Sequence, residues 1–299
     1  MRVFLWILVI AIVTLVLTAA VAYPGYLIAH AINDTWQFHR IASRIATLIA
    51  LIGVILVARR YQLGNRAALG FAPPLTEYLG TVFKYFAAGF AMMLPMLALM
   101  FVAHLRMPKV GLVYDGTFTV ELVLTSVLGG LIVALIEETF FRGLLHTAVE
   151  RDRGATTAVL AVALLFAILH FIGKARVPDL ELHWSSGWQW LTQTLRLIAR
   201  PTQILDAFLV YLAIGILLGM VRAWMGHTAG CIGLHAGWVA AMLMVRESTD
   251  ANMDAPLAFL QGSFDRFVGW LVLGWTLLMG VAFVVLKRRG LAFARPGPH

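Results

Sequence analysis

The sequence is poor in cysteine and in charged residues. Its single cysteine, Cys231, excludes an internal disulfide and any Cys-x-x-Cys metal site. Charged residues make up only 13% of the 299 residues, whereas hydrophobic residues make up 61%, well above the roughly 45–50% of soluble domains. No stretch is polar enough to form a separate soluble domain. A soluble enzyme is therefore disfavoured from the outset.

Long apolar runs recur along the chain, and runs of about 20 residues can cross roughly 30 Å of hydrocarbon. Because backbone hydrogen bonds must be satisfied inside lipid, unbroken runs of this length indicate helices rather than barrel strands. We predict an all-α, polytopic transmembrane helical bundle that forms a single domain over residues 1–299. We expect about eight spans, at 4–22, 42–58, 80–103, 119–147, 155–173, 205–225, 228–245 and 266–286.

Basic residues give a formal net charge of +8 and cluster at the ends of apolar runs, as in Arg59-Arg60 and Lys287-Arg288-Arg289. This placement is typical of contacts with anionic headgroups, so we expect the lipid bilayer as a partner and no nucleic acid. With an even number of spans, the positive-inside rule places both termini in the cytoplasm. Arginine outnumbers lysine and alanine is abundant, which favours a bacterial cytoplasmic membrane protein.

Three further segments have distinct expectations. Residues 60–79 contain two glycines and two prolines, which predicts a turn-rich or interfacial stretch rather than a span. Residues 174–204 combine three tryptophans with arginines, which is typical of a helix lying on the membrane surface. The first span ends in Ala20-Val21-Ala22, as a signal peptide would, but its apolar run is longer than a signal sequence needs. We therefore expect an uncleaved first helix.

Ionisable residues within the spans are few and concentrated. The fourth span carries Glu137, Glu138 and Arg142, the fifth carries His170 and the seventh carries His235. A charge at membrane depth costs about 2.5–3.5 kcal/mol on insertion scales, so such residues mark functional sites or buried partners. These five residues are the candidate site.

Spacing along the helix predicts one partner directly. Glu138 and Arg142 are four residues apart, so they share a helix face and we expect a salt bridge between them. Glu137 lies about 100° further round the helix, so its partner must come from another helix. An isolated Glu–Arg pair is also common as structural glue. A purely structural pair would not explain the second carboxylate, Glu137.

Counting residues from the turns predicts the depth of the histidines. Glu137 lies 17 residues before Gly154 and His170 lies 16 residues after it, so antiparallel helices rising about 1.5 Å per residue place them at nearly the same depth. His235 follows its own turn by only about nine residues. Either the fourth and fifth helices extend further out, or the seventh begins later. His146 and His227 lie near helix ends, where we expect water to reach them.

The motif EExxxR at 137–142, followed by FxxxH at 166–170 and a third histidine, His235, resembles the CAAX protease and bacteriocin-processing (Abi, CPBP) family of intramembrane proteases. The resemblance covers a core of about residues 119–245. It implies an intramembrane endopeptidase similar to CAAX prenyl proteases, acting on a membrane-associated peptide or protein. Prenylated CAAX tails, leader peptides and membrane-protein segments all stay open as substrates.

The resemblance also implies roles for the candidate residues. Glu137 would act as general base on a water molecule, and His170 would orient that water or shuttle its proton. His235 would stabilise the oxyanion of the tetrahedral intermediate. Glu138 and Arg142 would hold the geometry of the site as supporting residues.

One position departs from the family pattern. The third motif is usually His-x-x-x-Asn or His-x-x-x-Asp, and here it ends in Val239. Valine cannot donate a hydrogen bond to an oxyanion, and loss of one such donor typically lowers the rate by ~10²–10³. Trp238 is the nearest replacement donor, and with Phe166 it completes the expected supporting residues. The alternative is a catalytically weak or inactive membrane scaffold or immunity protein of the same fold.

Two other questions stay open in the sequence. Glu137 or Glu138 with His170 and His235 forms an acceptable set of three zinc ligands, but a metal-free mechanism uses the same residues and is the one we favour. The expected cofactor is therefore none, or a divalent metal such as zinc. A proton-coupled transporter would also use buried glutamate and histidine, but the sequence lacks the internal repeats of such proteins.

Overall fold

The protein is described by a computed structural model, and ten α-helices account for nearly all of its regular structure within the described residues. The described residues are 2–173, 177 and 182–289. The helices are α1 (Arg2–Ile32), α2 (Phe38–Arg60), α3 (Leu75–Val102), α4 (Gly116–Glu138), α5 (His146–Arg153), α6 (Ala155–Leu169), α7 (Ser186–Ile198), α8 (Leu205–Met225), α9 (Ala229–Ser248) and α10 (Trp270–Arg288). The all-α class predicted from the sequence is confirmed.

Seven helical segments of the described chain are long and apolar enough to cross a membrane. Six of these are single helices, and the seventh is a continuous 38-residue rod, Gly116–Arg153, in which a short π-helical turn joins α4 to α5. The remaining predicted span, 155–173, is helical only over the 15 residues of α6. Many large apolar side chains on these helices are exposed, as expected for surfaces that face lipid. The chain is an integral membrane protein.

The chain divides into two compact units. The first comprises Met1–Gly64 with Ala167–Leu205, and the second comprises Asn65–Phe166 with Asp206–His299. A single domain over the whole chain stays a prediction, and so do the cytoplasmic position of both termini and the bacterial source.

The first unit is built from α1, α2 and α7, with α1 packed against both of the other helices. Its core contains the fully buried rings of Phe38 and Trp190. Within 174–204, a helix is present as α7, whereas 174–176 and 178–181 lie outside the described residues. The position of this helix on the membrane surface stays a prediction. Trp190 is a core residue rather than an interfacial one, because α7 packs this side chain into the unit.

Helix α9 lies at the centre of the second unit, packed against α3 and α4, and 13 of its 20 residues are buried. Its contact face is made of small residues. A Cβ atom on Gly237 would collide with the carbonyl oxygen of Phe86 on α3, and one on Gly89 of α3 would lie 2.6 Å from the carbonyl oxygen of Leu234. Small residues allow this close backbone approach, which is how helices associate in lipid.

The same close approach occurs on the other side of α9. A Cβ atom on Gly130 of α4 would lie 2.6 Å from the carbonyl oxygen of Ala236. Backbone contacts at residues 234 and 236 therefore clamp α9 on both sides of His235. The position of His235 relative to α4 is fixed by the backbone.

A two-stranded antiparallel sheet ties the end of α3 to the end of α9. Strand β1 (Arg106–Pro108) pairs with β2 (Thr249–Ala251). The buried Arg106 side chain donates from Nε to Thr249 Oγ1 at 3.0 Å and from Nη2 to the Thr249 carbonyl at 2.8 Å. Of the connection predicted over 60–79, residues 61–74 lie between helices, whereas 75–79 already belong to α3.

The glycine contact between α3 and α9 predicts a difference between two identical substitutions on α3. Gly89→Ala should lower the thermal unfolding midpoint in detergent, because the new methyl group forces the backbones of α3 and α9 apart. Gly80→Ala is the control, since a Cβ there meets nothing within 4 Å and alanine favours a helix over glycine by about 1 kcal/mol. Equal midpoints for the two variants would contradict this packing argument.

Candidate active site

The two adjacent glutamates end α4, and the helix does not continue in α form beyond them. Residues Thr139–Leu145 form a π-helical turn, and α5 begins at His146. The backbone N–H of His146 donates to the carbonyls of Gly143 and Phe141, whereas an α-helix would use the carbonyl of Arg142, four residues back. Such turns within helices occur frequently at functional sites. This π-helical turn was not expected from the sequence.

Three side chains form a buried hydrogen-bonded group, which we call the Glu138 cluster: Glu138, Arg142 and His235. Arg142 Nη1 donates to Glu138 Oε1 at 2.9 Å, and His235 Nδ1 lies 2.8 Å from the same oxygen. Glu138 and Arg142 are fully buried and His235 is 7% exposed. The salt bridge expected from the four-residue spacing is present. The third member comes from α9, 97 residues later in the chain.

The depth of His235 follows from the lengths of the helices. The rod continues to Arg153, 15 residues beyond Glu138, whereas α9 begins at Ala229, six residues before His235. The two side chains meet because the rod extends well past the start of α9. Helix α9 begins at Ala229, one residue after the predicted start at 228, so a later start of the seventh helix is not the explanation.

The carboxylate of Glu138 determines which ring nitrogen of His235 holds a proton. An ionised carboxylate can only accept, so Nδ1 carries the proton in the 2.8 Å hydrogen bond to Glu138 Oε1. The other nitrogen, Nε2, then remains for chemistry. It accepts a hydrogen bond in the neutral ring and donates one in the imidazolium. A carboxylate plays the same orienting role toward histidine in serine hydrolases.

Phe166 of α6 packs directly against the Glu138 cluster. The guanidinium carbon of Arg142 lies 4.5 Å from the centroid of the Phe166 ring, and the His235 ring lies edge-on at 6.3 Å. Phe141 packs edge-on against the same ring at 5.1 Å. An arginine over an aromatic face gains about 0.5–2 kcal/mol. The contact of Phe166 is therefore with the supporting arginine and with the histidine.

Arg222 of α8 is a buried cation that the sequence analysis missed. Its side chain is 5% exposed. It donates from Nε to the backbone carbonyl of Arg142 at 2.9 Å and from Nη2 to Thr147 Oγ1 at 3.2 Å. Arg142 in turn donates from Nη2 to the carbonyl of Gly215 on α8 at 3.3 Å. A signal was available, because an arginine within the apolar run 205–225 is as costly as those that were singled out.

The structure places Glu137 and His170 in different units of the chain. Glu137 is half-buried at the end of α4 and belongs to the second unit. His170 is half-buried in the turn that follows α6 and belongs to the first unit. Their convergence with His235 in one polar cavity stays a prediction, and so do the catalytic roles of all three.

The two residues at the departure from the family pattern differ in burial. Trp238 is 6% exposed, and its indole N–H has no hydrogen-bond partner within residues 2–173, 177 and 182–289. Val239 is half-buried. Helix α9 thus carries a buried donor at Trp238, three residues after His235, whereas Val239 offers no donor.

The expected exposure of His146 and His227 is wrong. His146 is fully buried, with Nε2 at 3.8 Å from Glu150 Oε2, and His227 is 4% exposed. The turn between α8 and α9 folds back on the chain, since both the N–H and the Oγ1 of Thr228 donate to the carbonyl of Gly70 at 3.0 Å. Burial lowers the pKa of His227, so its ring is neutral at physiological pH.

The described residues do not fit a metal site. Among them, no three histidine, cysteine, aspartate or glutamate side chains are arranged to hold a metal ion. Glu138 Oε1 already accepts from Arg142 and from His235 Nδ1, and a guanidinium at this distance opposes a second cation there.

The Glu138 cluster predicts a large cost when Arg142 is removed. Arg142→Ala should destabilise the fold by about 3–5 kcal/mol, because it leaves the carboxylate of Glu138 buried without its cation. The folded yield and thermal midpoint in detergent measure this effect. Lys109→Ala is the control, since the Lys109–Glu247 pair is at the surface with a separation of 3.9 Å and such pairs contribute about 0–1 kcal/mol. Equal effects of the two changes would contradict a stabilising role for Arg142.

Comparison with protein families agrees with the resemblance noted in the sequence. Residues 119–241, which are 123 of the 299 residues, match the family model described as type II CAAX prenyl endopeptidase Rce1-like. No curated protein and no solved structure matches the chain significantly. The matched segment contains α4 from residue 119 onward, the π-helical turn, α5 to α8, and α9 as far as Ala241. The segment that carries the Glu138 cluster is therefore similar to the Rce1-like family of type II CAAX prenyl endopeptidases.

Proposed function

We propose that the protein is an intramembrane endopeptidase that hydrolyses a peptide bond in a membrane-associated peptide or protein. In this proposal Glu137 is the general base, His170 orients the attacking water or moves its proton, and His235 stabilises the oxyanion. The observation that carries the proposal is the buried hydrogen bond of 2.8 Å between His235 Nδ1 and Glu138 Oε1, within a segment of a protease family.

The two adjacent carboxylates have different surroundings, which supports different roles. Glu138 is fully buried, and its Oε1 accepts from both Arg142 and His235. A carboxylate held in this way orients its partners and is poorly placed to take a proton from water. Glu137 is half-buried and lies about 100° round the helix from Glu138. It is the carboxylate of the pair that suits a general base.

The proposed reaction balances without any other reactant. Glu137 takes one proton from water as the water oxygen bonds to the carbonyl carbon of the substrate. The carbonyl π electrons move to oxygen and form the oxyanion, to which the Nε2–H of the His235 imidazolium donates. The protonated Glu137 then delivers its proton to the amide nitrogen as the C–N bond breaks. The products are a carboxylic acid and an amine, and Glu137 is regenerated.

A second donor to the oxyanion is supplied in this proposal by Trp238. Its indole N–H is buried and has no acceptor among the described residues, and a buried donor in this state costs about 1–3 kcal/mol. A substrate oxygen that accepts from it removes this cost. Asparagine in the usual motif would offer a donor one helical turn beyond His235, whereas Val239 cannot.

Replacement of the two glutamates should separate chemistry from folding. Glu137→Gln should leave the folded yield near that of the wild type and lower cleavage by at least ~10²-fold, since the general base is lost. Glu138→Gln should lower both quantities, because it disturbs the buried pair with Arg142. Cleavage is measured in proteoliposomes on a panel of prenylated CAAX peptides, leader peptides and transmembrane segments.

Two controls accompany this comparison. A chelator is applied to the wild-type protein, because loss of cleavage on chelation would replace the metal-free mechanism with a metal-dependent one. Activity of Glu137→Gln equal to that of the wild type would remove Glu137 from the role of base. If no substrate of the panel is cleaved even by the wild type, the scaffold alternative becomes the better account.

Position 239 provides an independent test of the oxyanion site. Trp238→Phe should lower kcat by ~10²-fold, because it removes one donor to the oxyanion while keeping an aromatic side chain. Val239→Asn should raise kcat if the family's usual donor can be restored at this position. The variants are compared at equal amounts of folded protein. If neither change alters kcat while Glu137→Gln is inactive, this face of α9 does not stabilise the oxyanion.

A further inference from the structure

We infer that Arg222 is a positioning residue for His235, acting through the π-helical turn and the Glu138 cluster. This inference rests on the proposed function and deepens it. Arg222 lies on α8, and its described hydrogen bonds go to Arg142 and Thr147, neither of which is proposed to be catalytic.

The backbone of the π-helical turn departs from the α-helical hydrogen-bond pattern at the carbonyl of Arg142. The His146 N–H donates to the carbonyls of Gly143 and Phe141 and passes over the carbonyl of Arg142, which an α-helix would use at this point. A buried carbonyl needs a donor, because an unsatisfied polar group in an apolar interior is costly. The donor is Arg222 Nε at 2.9 Å. The side chain of Arg222 thus supplies a donor to the Arg142 carbonyl, which would accept from the His146 N–H in an α-helix.

The guanidinium of Arg222 makes two hydrogen bonds from one planar group. Its Nε bonds the carbonyl of Arg142 inside the π-helical turn, and its Nη2 bonds Thr147 Oγ1 in α5. One rigid planar group therefore bridges the junction at which the π turn returns to an α-helix. Both acceptors are neutral, so this is hydrogen bonding to the helix rather than an ion pair. Lysine has a single nitrogen and no planar fork, so it cannot reproduce both bonds with the same geometry.

The π-helical turn is linked to His235 through the side chains of Arg142 and Glu138. The residue whose carbonyl Arg222 holds is Arg142, and the side chain of Arg142 donates to Glu138 Oε1. That oxygen is the one that fixes His235 Nδ1. Two hydrogen bonds thus separate Arg142 from the ring of His235. A change in the π-helical turn moves the guanidinium of Arg142, and with it the carboxylate that orients His235.

The test compares Arg222→Gln, Arg222→Lys and Arg246→Gln with the wild type. Arg246 is the matched control, because it is also an arginine of the second unit and its Nη1 pairs with Asp265 Oδ2 at 3.1 Å. It lies on α9 itself, 11 residues after His235. The readouts are kcat and KM per folded molecule, the thermal midpoint, and the ¹⁵N NMR signals of the His235 ring nitrogens, assigned with His235→Gln.

Arg222→Gln should lower kcat by about 10²-fold with KM changed by less than about threefold, since small displacements of catalytic groups cost this much. It should also shift the Nδ1 signal of His235. Arg222→Lys should give an intermediate kcat, because it keeps one donor, and it serves as the reporter if the glutamine variant does not fold. Arg246→Gln should lower the thermal midpoint while leaving kcat and the His235 signals as in the wild type.

An Arg222 variant with unchanged kcat per folded molecule and unchanged His235 signals would overturn the inference, since Arg222 would then be only a structural anchor. The NMR readout needs no substrate. If the wild type cleaves nothing, the proposed function fails, yet a shifted Nδ1 signal in Arg222→Gln still supports the positioning role.

Discussion

The centre of the second unit depends on a single carboxylate oxygen, Glu138 Oε1. Placing an ion in an apolar interior costs several kcal/mol, and only close, well-oriented partners offset this cost. Arg142 supplies the opposite charge from one turn along the same chain, and His235 supplies a second donor from α9. The second donor requires α9 to lie close to α4, which a glycine at position 130 permits. Backbone packing and electrostatics therefore impose one common geometry.

The parts of this arrangement that local rules govern could be predicted from the sequence. Apolar runs gave the helices, because hydrocarbon thickness and backbone hydrogen bonding leave few other solutions. The Glu138–Arg142 pair followed from a four-residue spacing on a helix face. The motif spacing identified the family core at about 119–245, and the family model matches 119–241.

What could not be predicted depends on contacts between segments distant in the chain. A π-helical turn inserts no distinctive residue, so the sequence over 139–145 reads as ordinary helix. The partners of Arg222 are of this kind, because a backbone carbonyl and a threonine hydroxyl carry no charge pattern in the sequence. His227 looked accessible at a helix end, but the turn that contains it packs against Gly70. Burial at helix ends is a tertiary property, and no local periodicity reports it.

The short length of α6 has a consequence for the bilayer around the protein. A helix of 15 residues rises only about 22 Å, roughly 8 Å less than the hydrocarbon core. Such hydrophobic mismatch is relieved by local thinning of the bilayer or by polar groups reaching toward the headgroups. Either response shortens the path from bulk solvent to the end of α6, where the chain turns at His170. The proposed hydrolysis consumes water, and a short α6 favours the supply of water from the side of the bilayer at which the chain turns at His170.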